Sequence, residues 1–164
     1  MELSADLPPE LVPLAWQLGT WAGAGVGALP EEHRFGQEAE FSHDGRGFLT
    51  YVSRTWRLTD DGERAEPLHA EQGYWRPLPD GGLDVVLAQA PGYAEIWHGT
   101  VAGPRIDLRT DVVARTPDAP EYTAGTRLYG LVEGDLAWAY DAAFDGTPLR
   151  ALMSAQLRRV GGVG

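Results

Sequence analysis

Apolar and polar residues alternate along a series of short segments of the chain. In FLTYVSRTW, residues 48–56, Phe48, Val52 and Trp56 have one parity, whereas Leu49 and Tyr51 have the other. A period of two residues is typical of β-strands, whose successive side chains point to opposite faces of a sheet. The pattern continues in LDVVLAQA, YAEIWHGTV, RIDLRTDVV, TRLYGLV and LAWAYDAAF. Together these segments predict about ten strands.

Turn signals separate the strands at intervals of about ten residues. They are HDGRG, TDDGE, PDGG, APG, AGP, EGD and FDGT. Glycine in these turns reaches the positive φ that tight hairpins need. The regular spacing predicts an all-β fold, a ten-stranded antiparallel up-and-down barrel, because closing the sheet removes its edges. In residues 8–18, the helical spacing of Leu11, Leu14 and Leu18 after a proline predicts a short helical plug at one end.

Composition places the chain among globular proteins. A length of 164 residues predicts one domain, 1–164, and 43% hydrophobic residues supply a core. We find neither an apolar run long enough for a membrane span nor the basic and apolar regions of a signal peptide, and we therefore expect a cytoplasmic location. The absence of cysteine excludes disulfides, thiolate catalysis and cysteine-ligated metals.

The chain is strongly acidic, with a formal net charge of −11. Its 13 cationic residues are all arginine. An acidic protein repels phosphates and anionic lipids, so we expect neither nucleic acid nor a membrane as a partner. A small molecule and a second copy of the chain, as a homodimer, remain open as partners.

The segment GTWAGAG contains Gly19, Trp21, Gly23 and Gly25. Alternating glycines weaken a strand and are typical of places where two backbones approach closely. We expect Trp21 to close the base of the barrel beneath the guanidinium of Arg158 or Arg159. A phosphate-binding role is disfavoured, because no helix follows and the chain contains no lysine.

The remaining candidates for chemistry are few. The four histidines are too far apart in sequence for a local metal site, and no nucleophile motif is present, so we predict neither metal ligands nor catalytic residues. His69 is the most interesting histidine, because Glu71 shares its parity and could orient it. The mid-strand tryptophans, Trp56, Trp75, Trp97 and Trp138, either fill the core or line a cavity for a planar or apolar ligand.

Four segments resemble the nitrobindin family, in the right order from about residue 14 to residue 160. They are LGTWAGAGVGALP, LHAEQGYWRP, VVLAQAPGYAEIWHG and LRALMSAQLRRV. The resemblance implies a ten-stranded barrel similar in shape to fatty-acid-binding proteins. It also implies binding of haem b at the barrel mouth, a single proximal histidine on ferric iron, reaction with nitric oxide, and isomerisation of peroxynitrite to nitrate.

Carried over residue by residue, the resemblance is incomplete. The motif positions match at Gly19, Trp21, Gly23 and Gly25, and His69 matches a histidine on the distal side of the haem. The proximal histidine belongs to a pattern in the last strand that reads LMSAQLRR here, so that Leu152 stands at the ligand position. Where the family usually has Tyr-Pro-Thr-Ile, this chain has Glu31 and Glu32 for the last two residues.

These departures lead to our first hypothesis, a haem-free barrel that binds an apolar or planar small molecule. Leucine has no lone pair for iron, and a carboxylate at Glu31 would repel the haem propionates. Strict alternation places Leu152 on the face opposite Met153, so a bulge would be needed to turn it inward. No cofactor is expected under this hypothesis.

The alternative is a ferric haem peroxynitrite isomerase with another axial ligand, such as His69, Tyr129 or Tyr140. A third possibility is a purely structural or partner-binding domain, which a barrel without a cavity of about 300 Å³ would favour.

Overall fold

A computed structural model describes residues 6–161 of the chain. It contains a 3₁₀ helix, Pro9–Gln17, followed by ten strands. The strands are β1 (Gly19–Gly27), β2 (His33–Ser42), β3 (Leu49–Leu58), β4 (Arg64–Pro77), β5 (Gly82–Gln89), β6 (Tyr93–Val101), β7 (Arg105–Arg115), β8 (Tyr122–Val132), β9 (Asp135–Phe144) and β10 (Arg150–Gly161). Within the described residues, no helix is long and apolar enough to cross a bilayer.

Each strand pairs with the next in antiparallel orientation, and β1 pairs with β10 to close the barrel. The predicted ten-stranded up-and-down barrel is therefore confirmed. The period of two accounts for the core, because alternate residues of every strand point inward. Closure leaves every strand with two hydrogen-bonded neighbours.

The 3₁₀ helix closes one end of the barrel, as predicted. Leu11 and Leu14 are fully buried there, and the Trp21 indole N–H donates a hydrogen bond to the Gln17 carbonyl at 2.8 Å. The Arg159 guanidinium lies 4.4 Å from the centroid of the Trp21 ring. It also donates hydrogen bonds to the carbonyls of Trp16, at 2.9 Å, and Leu18. The expected cation–π contact is thus formed by Arg159, which fixes the helix to the last strand.

The glycines of β1 let its backbone lie close to β10. A Cβ on Gly23 would lie 2.5 Å from the Gln156 carbonyl oxygen. A Cβ on Gly25 would overlap the Ser154 carbonyl and lie 2.7 Å from the Cβ of Ala155. The motif therefore has a packing role at the seam where the barrel closes.

A β-bulge interrupts the pairing of β10 with β9. Ala151 pairs with Asp141 and Met153 pairs with Tyr140, so that Leu152 has no partner in β9. The extra residue shifts the alternation, and Met153 now follows the inward parity of Tyr140. The bulge near Leu152 that the sequence analysis considered is therefore present.

Candidate functional site at the barrel mouth

The end of the barrel opposite the 3₁₀ helix is here called the mouth. Five connections border it, namely residues 28–32, 59–63, 90–92, 116–121 and 145–149. The odd-numbered residues of β4 point inward, with His69 near the mouth and Glu71 deeper in the barrel. Leu152 and Glu31 also lie at this end, because β10 begins here and Glu31 belongs to the first connection. Gly19 and Trp21 lie at the opposite, closed end.

A buried ion pair spans the interior below the mouth. Arg127 donates to both carboxylate oxygens of Glu71, over 2.6 Å and 3.0 Å. The Tyr51 hydroxyl donates to the same carboxylate at 2.8 Å, and a ring nitrogen of His69 lies 3.3 Å from it. The predicted contact between His69 and Glu71 is therefore present.

The environment of Glu71 keeps it ionised. Burial by itself would raise the pKa of this carboxyl group. The charge of Arg127, and hydrogen bonds from His69 and Arg127, outweigh burial and hold the pKa well below its ordinary value. Because both charges of the pair are fully desolvated, loss of either partner would leave an uncompensated charge in the core.

Aromatic rings fill the space around the Arg127 guanidinium. It lies 4.1 Å from the Tyr140 ring centroid and 5.0 Å from that of Trp97. The space enclosed by Arg127, Trp97, Trp75 and their neighbours has an empty volume of about 170 Å³ and leaves no room for a water molecule. The indole nitrogens of Trp75 and Trp97 have no hydrogen-bond partner there. This part of the interior is a packed core and offers no space for a ligand.

A second polar network lies nearer the mouth. The Glu95 carboxylate accepts hydrogen bonds from the Tyr122 hydroxyl, at 2.6 Å, and from the Gln89 amide, at 2.5 Å. Gln89 also donates to the Tyr140 hydroxyl at 3.3 Å. Burial raises the pKa of Tyr140 to about 12. Tyr129 is equally buried and accepts a hydrogen bond from Arg127. Both tyrosines proposed as iron ligands are therefore engaged within the core.

His33 is a mouth residue that the sequence analysis did not select. It is the first residue of β2 and pairs with Gly27, which has no side chain. The His33 ring occupies the space where a Cβ of Gly27 would be. Its Nδ1 lies 2.8 Å from the Glu31 carbonyl oxygen, and the ring is half-buried. If β2 is begun at His33, the two-residue alternation places the His33 side chain on the inward face of the strand.

Beside Leu152, the outer wall of the barrel next to the mouth has an open depression of about 430 Å³. It is lined by Val26–Ala28, Glu32, Ala139, Asp141 and 151–154. Leu152 is half-buried and packs against the hydrophobic core, and its carbonyl accepts a hydrogen bond from the amide of Ala28 at 2.9 Å. The bulge thus brings Leu152 and the 28–32 connection together around one apolar depression.

The sequence analysis missed most of the buried polar residues. Glu71 was noted only as a partner of His69, and Arg127, Glu95 and Gln89 were not selected. Their inward parity was readable from the alternation. What was not readable is that Arg127, 56 residues after Glu71, would be its partner across the barrel.

Known proteins are similar to this chain over nearly its whole length. A ferric nitrobindin-like protein of Kineococcus radiotolerans is 53% identical, and the alignment covers 98% of both chains. A peroxynitrite isomerase of a Nocardioides species is 45% identical over 96% of this chain and 98% of its own. The crystal structure of Rv2717c from M. tuberculosis has 35% sequence identity and a TM-score of 0.84, covering 94% of this chain and 99% of that one.

The fold and these relatives define a class of small closed β-barrels with a mouth at one end. Residues 10–159 match the THAP4-like, heme-binding beta-barrel domain. The chain belongs to this family of nitrobindin-like barrels.

The family description implies haem, and Leu152, at the position where the resemblance places the iron ligand, does not fit it. Leu152 offers iron no electron pair. The hydroxyl groups of Tyr129 and Tyr140 lie in the packed interior, and His69 has one ring nitrogen directed at Glu71. Glu31 and Glu32 are exposed at the mouth, where haem propionates would meet like charge.

Proposed function

We propose that this chain is a haem-independent member of its family and binds an apolar or planar small molecule at the depression beside Leu152. The observation on which the proposal depends is the hydrocarbon side chain of Leu152 at the position where the family resemblance implies an iron ligand. A non-covalent haem is held by its axial bond and by apolar contact, so loss of the bond removes much of its affinity.

The depression is the better location for a ligand than the barrel interior. The ion pair of Glu71 and Arg127 and the surrounding rings leave no room for a water molecule in the space they enclose. The depression, at about 430 Å³, lies within the range of small-molecule sites, roughly 300–1,000 Å³. Its apolar lining includes the half-buried Leu152 and Met153.

Hemin titration tests the haem-independent part of the proposal. We expect the wild-type protein to give no sharp Soret band and no spectral change with nitric oxide. The variant Leu152→His, alone or combined with Glu31→Thr, should gain a stoichiometric ferric spectrum. Val160→His is the matched control, because Val160 is exposed on β10 near the closed end of the barrel. A stoichiometric ferric spectrum of the wild-type protein would contradict the proposal.

The alternative function is a ferric haem peroxynitrite isomerase with a different axial ligand. His69 is its best-placed candidate, because it lies near the mouth and is only partly buried, whereas Tyr129 and Tyr140 are in the core. If wild-type protein binds hemin, His69→Ala should abolish the ferric spectrum under this alternative. Retention of that spectrum would exclude His69 as the ligand.

A further inference from the structure

Two neighbouring strands, β7 and β8, stop pairing with each other on the side of the mouth. Their ladder runs from Arg105 to Arg109 of β7. Beyond it, β7 continues to Arg115 beside β6, and the first residues of β8 lie beside β9. Within residues 6–161, no backbone pairing or backbone hydrogen bond joins 110–115 to 122–125. The wall of the barrel therefore has a split between these two segments.

A threonine side chain bridges the lower end of the split. Thr110 pairs with the buried Trp97 and so has inward parity. The amide of Gly125 donates to the Thr110 hydroxyl at 3.1 Å, and that hydroxyl donates to the Gly125 carbonyl at 3.5 Å. One side chain thus joins β7 to β8 where their backbone ladder has ended.

A buried polar pair lies behind the split. Glu95 pairs with Val113 of the β7 segment, and Tyr122 is the first residue of β8. The Tyr122 hydroxyl donates to the Glu95 carboxylate at 2.6 Å, which connects the two sides of the split from the interior. Glu95 is 2% exposed, so solvent reaches this carboxylate only if the wall opens.

A β-bulge in β7 lies next to the bridging threonine. Ile96 pairs with Val112 and Trp97 pairs with Thr110, so that Asp111 has no partner in β6. A bulge leaves its extra residue out of the ladder and disrupts the pairing around it. The side-chain contacts of Asp111 therefore affect how firmly β7 is held beside the split.

Asp111 is held by a histidine on the outer wall. One ring nitrogen of His98, Nε2, lies 3.5 Å from the Asp111 carboxylate. The other, Nδ1, lies 2.5 Å from the Asp84 carboxylate on β5. Arg109, in register with His98, is the neighbouring cation on β7. The hydrogen bond with Asp84, and the charges of both carboxylates, raise the pKa of His98 above its ordinary value of 6.5.

The protonation state of His98 decides whether it can hold both carboxylates. An imidazolium has an N–H donor on each ring nitrogen and serves Asp84 and Asp111 together. A neutral imidazole has one donor, and the shorter contact with Asp84 keeps that proton on Nδ1. The lone pair of Nε2 then faces the Asp111 carboxylate and repels it. Loss of one proton therefore releases the bulge of β7.

We propose that the split between β7 and β8 is a side opening of the barrel that His98 closes when it is protonated. With Asp111 held, β7 stays in place and Thr110 remains bonded to Gly125. As pH rises and His98 becomes neutral, the bulge moves, the bond from Thr110 to Gly125 breaks, and the segments separate. This device is independent of the ligand site beside Leu152, and it controls the access of solvent to the buried carboxylate behind the split.

Hydrogen exchange tests the device, because the Gly125 amide bonds to Thr110 and reports the bridge directly. Exchange is measured by NMR at several pH values and expressed as a protection factor, which removes the intrinsic effect of pH. We expect the Gly125 protection factor to fall by about threefold between about pH 6 and about pH 9, as an exposed ion pair is lost. Leu128, which pairs with both β7 and β9, should keep its protection. A Gly125 protection factor that is equal at both ends of this range would overturn the proposal.

Variants assign the pH dependence to His98. His98→Gln should give the low Gly125 protection factor at every pH, because it carries no titrating charge. Asp111→Asn should also abolish the pH dependence, although Asp84 still contacts His98. His43→Gln is the matched control at an exposed turn of the closed end, and it should behave as the wild type does. A pH dependence that persists in His98→Gln would show that another group controls the opening.

A second pair of variants tests the bridge itself. Thr110→Val keeps the shape of the side chain and removes its hydroxyl group, so the Gly125 protection factor should be low and independent of pH. Thr126→Val is the matched control, because Thr126 lies at the next position of β8 with outward parity. If Thr110→Val leaves the Gly125 protection factor at the wild-type value, the threonine bridge does not close the split and the proposal is wrong.

Discussion

At the scale of single residues, the interior depends on Glu71 and Arg127. A bidentate pair with additional hydrogen bonds from Tyr51 and toward Tyr129 satisfies most of the polar atoms that folding removes from water. The Arg127 Nε remains without a partner. Such a pair contributes little net stability relative to an apolar core, but removing one of its partners strongly lowers the free energy of unfolding.

The ionised state of Glu71 makes stability depend on pH. Because the folded-state pKa lies below the ordinary value of 4.5, this stability is complete above that pH and decreases as pH falls below it. Glu71→Gln should lower the free energy of unfolding by about 3–5 kcal/mol at neutral pH, since Arg127 stays buried without its counter-ion. The difference in free energy of unfolding between Glu71→Gln and the wild type should become smaller as the solution is acidified. Urea unfolding at several pH values measures both effects.

The control for this prediction is Glu66→Gln. Glu66 forms an exposed ion pair with Arg57 at 2.5 Å, and solvent screens exposed pairs. This variant should unfold almost as the wild type does. A difference between Glu71→Gln and wild type that stays constant down to acidic pH would contradict the assigned role of the Glu71 charge.

At the scale of elements, the seam between β1 and β10 is a close strand contact that the glycines of β1 indicated. Gly25→Ala should destabilise the barrel by about 1–3 kcal/mol, because the new Cβ overlaps the β10 backbone. Gly130→Ala in β8 is the matched control, since its Cβ would lie 3.4 Å from the nearest atom. Thermal unfolding of both variants checks the prediction. Equal unfolding midpoints for Gly25→Ala and Gly130→Ala would mean that the two strands move apart without cost and would contradict it.

The bulge at Leu152 shows where strand patterns stop being informative. Alternation predicted ten strands correctly, because each inward face must be apolar or hydrogen-bonded. Alternation suggested a bulge near Leu152 but could not fix which residue is extra, since Ala151, Leu152 and Met153 are all apolar and fit either face. The register of β10 is set by its pairing with β9, the preceding strand, and with β1, which lies near the other end of the chain.

At the scale of the whole molecule, one part of the outer wall has no charge. Tyr74, Val86, Ile96 and Val112 pair in register across β4–β7, and each is 39–49% exposed. In the next row, Gln72, Ala88, Ala94 and Ala114 are also uncharged. We call these eight residues the outer band. A contiguous uncharged band is the surface through which two copies of so acidic a chain could associate.

We propose that the homodimer left open by the sequence forms through the outer band. Ile96→Lys should convert a dimer to a monomer in sedimentation velocity, because it places charge in the middle of the apolar row. Val132→Lys, at another exposed valine, should leave association unchanged. Higher salt should favour the dimer by screening the repulsion between two chains of charge −11. A wild-type monomer at high protein concentration and high salt would contradict this expectation.

The sequence by itself determined the strand count, the barrel and the helical plug. These depend on periodicity and turn residues, which are local properties. Tertiary structure decided the pairing of Glu71 with Arg127, the packed interior around them and the position of the bulge. Those features arise because closing the barrel brings together residues far apart in the chain, and no local pattern encodes which of them will meet.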